Sequence, residues 1–280
     1  MIVDTHTHFY DPTRPQGVPW PSPEEAWLYR PVLPSHYRAL AEPCGVTGTV
    51  VVEASPWVED NQWILDLAAG DRFILGLVGH LEPGTERFAR ELARFAANPL
   101  FRGIRGGASL LAGASEATVR RDLGDLAERG LVLDLLIGKD QYGAALGLAR
   151  QIPELRLVIN HLGHVPIDGQ RPDPEWADGV RRLAEAPGIC MKVSGVIEQS
   201  TVQPAPSDPA FYAPTFDLLW SAFGEERLIF GSNWPVCERG GEFATAFAVV
   251  DAYFSARGSR ARARYFSENG RRVYGWVERR

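Results

Sequence analysis

The chain has 280 residues, 45% of them hydrophobic and 23% charged, and a formal net charge of −6. Those proportions allow a sizeable globular core, and acids and bases are interspersed, which argues against a nucleic-acid footprint. No apolar run approaches the roughly 20 residues of a membrane span, and Asp4 and His6 follow the initiator Met too closely for a cleavable signal peptide. Cys44, Cys190 and Cys237 are few and widely spaced, so the expected setting is a reducing cytoplasm.

The first β-prone run, 2–6, leads into His6-Thr7-His8. Residues i and i+2 of a strand share a face, so both imidazoles leave one face, about 7 Å apart along it. At a strand's C-terminal end such a pair serves as a metal site or as two proton carriers. Further β-prone runs lie at 48–54, 73–81, 101–107, 131–137, 155–162, 189–195 and 228–233. Apolar residues recur with helical spacing between them, as over 60–67, 86–97, 118–129 and 142–151. Nearly all-apolar strands such as Val50-Val51-Val52 belong to a parallel sheet covered on both sides. Eight strands alternating with helices predict one α/β domain over 1–280, a (β/α)8 TIM barrel. A doubly wound sheet would favour a Gly-rich turn after the first strand, where this chain has its histidine pair.

Two connections are too long for plain turns, 9–34 and 196–214. The first carries seven prolines and the aromatics Phe9, Tyr10, Trp20, Trp27 and Tyr29, and the second is also Pro-rich. Both follow a strand, so both are expected over the C-terminal mouth as pocket walls or lids.

The polar residues at the predicted strand ends form a constellation. Strand 1 offers His6 and His8, strand 2 Glu53, strand 3 His80 and strand 4 Arg105. Strand 6 offers His161 with His164 beyond it, strand 7 Lys192 and Ser194, and strand 8 Asn233. Five of the six histidines thus collect at three strand ends. Val51 and Glu53 share a strand face. Glu53 is read as the third ligand of a mononuclear zinc centre with His6 and His8, or as a general base of raised pKa. Its structural alternative is a pairing with Arg105 or a backbone amide. Arg105 binds a substrate oxygen as a fork, or else bridges to the next strand. Lys192 carries the same two readings. His80 and His164 contact substrate or support residues that do, Tyr10 is expected to contact substrate, and Asp4 is expected to be a structural hydrogen-bond acceptor. There is no Gly-x-Ser-x-Gly elbow, phosphate loop or dinucleotide fingerprint, and Cys237 has no base identified beside it.

Four motifs occur in order: His6-Thr7-His8, Asn160-His161-Leu162-Gly163, Phe230-Gly231-Ser232-Asn233-Trp234-Pro235, and Glu268-Asn269-Gly270-Arg271-Arg272-Val273-Tyr274-Gly275. Together they resemble the amidohydrolase superfamily, and within it the TIM-barrel branch of sugar-acid and dicarboxylate lactonases. The resemblance spans the chain and implies a hydrolase that opens a cyclic ester by water attack. His161 would polarise the carbonyl or shuttle the proton, and Asn233 would orient water or substrate.

Three departures qualify the resemblance. The family carries aspartate where this chain has Asn233, and an amide accepts no proton near neutral pH. Strand 5 lacks the bridging lysine or carboxylate of binuclear relatives, and strand 4 offers Arg105 and no such ligand. At most one divalent ion is therefore expected, and metal-free catalysis stays open. The alternatives are a metal-dependent amide hydrolase or decarboxylase of the same fold, or a barrel that has lost catalysis and binds a ligand. The expected partner is a small-molecule lactone, with no nucleic acid or membrane.

Overall fold

The computed structural model describes residues 1–276 and 279. Eight strands lie side by side in chain order in one parallel sheet: β1 (Val3–Thr7), β2 (Gly48–Val52), β3 (Ile74–Gly79), β4 (Phe101–Gly107), β5 (Val132–Leu136), β6 (Arg156–Ile159), β7 (Ile189–Val193) and β8 (Leu228–Phe230). Helices follow the strands, as in a nearly closed (β/α)8 barrel. Alternation sorts the side chains. Val51, Leu133, Leu135 and Met191 face the helices, while Val50, Val52, Val132, Val158 and Ile229 form a separate inner cluster with Tyr274 and Trp276. The helix Phe88–Ala96 shows how the outer layer is built, since Phe88, Leu92 and Phe95 recur at helical spacing and are all buried.

Most strands stop short of the apolar runs that announced them, β6 at Ile159 and β8 at Phe230. The residues beyond leave the ladder and turn into the mouth. The second long connection is also shorter than its prolines implied. Asp208 caps a helix over Pro209–Phe223 by accepting from Ala210 N at 2.9 Å, and Pro209 sits in its first turn, where a missing N–H costs nothing. No helix among the described residues is long and apolar enough to cross a membrane.

The seam between β1 and β8 is closed largely past the end of β8. Asn233 N donates to His6 O at 2.8 Å and His8 N to Trp234 O at 2.9 Å. The buried Asp4 carboxylate ties the seam, accepting from His6 N, Ser232 N and Tyr37 Oη at 3.0, 2.9 and 2.6 Å. Gly231 allows this approach, because a Cβ there would lie 2.7 Å from His6 Cβ.

Candidate active site

The C-terminal mouth holds a cleft of 590 Å³ lined by His8, Trp20, Glu53, His80, Arg105, His161, His164, Glu198 and Asn233, among others. That volume suits a small molecule. A larger cavity of 690 Å³ lies at the opposite mouth. Its arginines are spent on backbone, Arg156 Nη1 on Arg272 O and Arg227 Nη1 on Ala186 O, each at 3.1 Å, so they cap the barrel floor.

His6, on β1, is fully buried, with its ring centroid 5.0 Å from that of His8 and 4.4 Å from that of His161. His8 Nδ1 lies 2.9 Å from Val52 O, and its Nε2 lies 3.2 Å from Asn233 Oδ1. His161 Nδ1 is held 2.9 Å from Ser194 Oγ. Burial lowers the pKa of all three rings, that of His8 to about 3, with Arg105 and Lys192 adding to the effect. They are therefore neutral imidazoles at neutral pH. His161 and Asn233 both adopt left-handed backbone, with φ of 52° and 64°. Asparagine tolerates that region better than most residues, whereas a histidine held there is strained, and such strain gathers at functional sites.

Glu53 lies just past the end of β2, so the alternation that turns Val51 toward the helices does not reach it. Its carboxylate takes the structural pairing left open by the sequence, with Arg105 Nε donating to Oε1 at 2.7 Å. Both Nη groups of Arg105 have no partner among the described residues. His80 lines the cleft, its backbone clamped by the Asn61 amide through two contacts of 2.9 Å.

Two expectations are corrected. Lys192 does not line the cleft. It is fully buried inside the barrel, its Nζ 2.7 Å from Asp134 Oδ2 and 2.8 Å from Thr5 O, with His6 Nδ1 at 3.2 Å. Asp134 on β5, which the strand-end constellation does not include, faces inward and also accepts from Tyr274 Oη at 2.8 Å. Tyr10 is likewise off the cleft. It donates to Leu28 O at 2.9 Å and backs Trp20 with ring centroids 5.4 Å apart, so Trp20 is the aromatic that reaches the mouth.

The expected zinc set also fails to assemble. Among the described residues no three His, Cys, Asp or Glu side chains are gathered as a metal-binding group. His6 Nε2 is buried without a partner among the described residues, as a ligand atom would be. The carboxylates that would complete the expected His6–His8 centre are engaged elsewhere, Glu53 by Arg105 and Asp134 by Lys192. The residues present do not fit a divalent ion.

One residue of the cleft escaped sequence reasoning altogether. Glu198, in the loop after β7, packs its carboxylate over Gly195 and against the Asn233 amide, whose Nδ2 faces Oε1. Its Oε2 is buried without a partner among the described residues, and burial pushes its pKa up to about 8.

This arrangement can hold a polar ring against Trp20 and polarise a carbonyl with Arg105 and neutral imidazoles. The amidohydrolase family profile matches residues 3–276. The chain belongs to that family. It is 30% identical to an L-fucono-1,5-lactonase of Burkholderia ambifaria, over 97% of this chain and 94% of the relative. A second L-fucono-1,5-lactonase, from Burkholderia multivorans, is 25% identical over 93% of this chain and 91% of its own. The fold matches the crystal structure of a Burkholderia multivorans amidohydrolase with bound HEPES, with TM-score 0.89 at 23% identity over 99% of this chain and 100% of that one. A second crystal form of an amidohydrolase from that organism has bound zinc and matches with TM-score 0.88, again at 23% identity over 99% and 100%.

Proposed function

We propose that this amidohydrolase is a hydrolase of ester bonds that opens sugar-acid lactones at the mouth of its barrel, the chain working as one domain. The observation that carries the reading is the convergence of Arg105, His161, His8 and Asn233 on one cleft in a chain whose relatives are sugar-acid lactonases. The Nη groups of Arg105 bind the lactone carbonyl oxygen and stabilise the negative charge that grows on it as water attacks. Neutral His161, anchored by Ser194, presents its remaining nitrogen to the same region. Glu53 positions Arg105, Asn233 orients substrate or water, and His80 borders the substrate. The edge of Trp20 walls the sugar ring from solvent. No step needs the zinc the family suggested, since the donor set does not suit one.

The test is a hydrolysis screen over aldonic-acid 1,5- and 1,4-lactones, with and without chelator, following acid release. Hydrolysis of at least one such lactone, at a rate insensitive to chelator, is expected. Turnover of amide or aromatic-acid substrates with no lactone opened would overturn the reading.

A further inference from the structure

The family's last strand supplies an aspartate that this chain lacks, so the site needs another group to take a proton from water. Glu198 is the carboxylate placed to do so. It lines the cleft and contacts the very residue that replaced the aspartate. One of its oxygens, Oε2, is buried with no partner among the described residues, which is costly unless a ligand or a proton completes it. Gly195 makes room for it, since a Cβ at that left-handed position (φ 65°) would lie 2.6 Å from Glu198 Oε1 and 3.2 Å from His161 Nδ1.

We propose that Glu198 is the catalytic acid–base residue of this site, doing from the loop after β7 what an aspartate on the last strand does in the family. The assignment rests on the lactonase reading. As carboxylate, Glu198 takes a proton from the attacking water while the water oxygen bonds to the lactone carbonyl carbon. The proton then passes to the ring oxygen as the acyl–oxygen bond breaks, giving the hydroxy acid. Water supplies every added atom. The charged or titratable groups facing Glu198 are His161 across Gly195, and Cys237 and Arg239 from the segment after β8. Arg239 pulls its pKa down less than burial raises it, so the reactive carboxylate is a minority at neutral pH and grows toward pH 8.

The experiment uses the full chain, a lactone it hydrolyses, and the isosteric variant Glu198→Gln. Wild-type kcat/KM should rise through one ionisation near pH 8. The variant should lose about 10²- to 10⁴-fold in kcat with KM changed little, and its residual rate should lack that ionisation. Activity of the folded variant within about threefold of wild type, or a flat wild-type profile between about pH 6 and pH 9, overturns the assignment. Should the variant not fold, the wild-type profile decides alone. A wild type that opens no lactone in the panel sinks the lactonase reading, and Glu198 with it. Equal activity in both proteins sinks Glu198 only.

Discussion

Arg105 Nε donates to Glu53 Oε1 at 2.7 Å, joining the ends of β4 and β2 over the end of β3. The bond engages Nε and fixes the orientation of the two Nη groups. Glu53 thus acts through Arg105, which both binds the carbonyl oxygen and stabilises its growing charge, so its loss should weaken binding and chemistry together. Glu53→Gln is expected to lower kcat/KM about tenfold, shared between KM and kcat, on the scale of one charge-assisted hydrogen bond. Arg105→Ala should cost more in both. Steady-state kinetics on the preferred lactone separates the cases, and a kcat loss of about 10² or more in Glu53→Gln with KM unchanged would put Glu53 in the chemistry.

The Lys192–Asp134 pair is buried, with both side chains inaccessible. Removing one partner strands the other's charge, so Lys192→Met should destabilise by about 3–5 kcal/mol in urea unfolding. The double change Lys192→Met with Asp134→Leu should recover much of that loss. A single variant as stable as wild type would show the pair to be dispensable.

Glu198 also makes stability depend on pH. Its folded pKa, about 8, lies above the unfolded value of 4.5. Between the two the folded chain keeps a proton the unfolded chain has released, so stability is fully present below about pH 4.5 and is lost as pH rises through about 8. Glu198→Gln has no proton to lose. Its Tm relative to wild type should therefore climb between pH 5 and pH 8, and a Tm difference that stays constant over that range would contradict the raised pKa.

Metal removal gives the fourth expectation. Exhaustive dialysis against chelator should leave the lactone rate within about twofold, because the carboxylates that would complete a His6–His8 centre are engaged by cations. Loss of activity restored by zinc would refute this.

The sequence made the barrel and the histidine cluster readable because both follow from periodicity. Parallel strands alternate, and His6, His8 and His161 sit where strands run out into the mouth. Alternation also predicts that Asp134 and Lys192 share the interior, since each is two residues on from an inner residue, Val132 or Cys190. Glu53 misled because its strand ends at Val52, one residue too soon for the pattern to apply. Glu198 lay out of reach for a different reason. It sits in an irregular Pro-rich connection with no period to place it, and its only signal was indirect, the missing carboxylate at 233.

The β1–β8 seam has a consequence for how the protein comes to life. Asp4 meets Ser232 across 228 positions of chain, and His8 meets Asn233 across 225. Contacts of such separation carry the largest loop-closure cost and are expected late in folding. The residues that complete the cleft are those that complete the barrel, so a nascent or truncated chain ending before β8 holds its histidines on an open sheet. Catalytic competence would then arrive as a single event, at the moment the two ends of the sheet find each other.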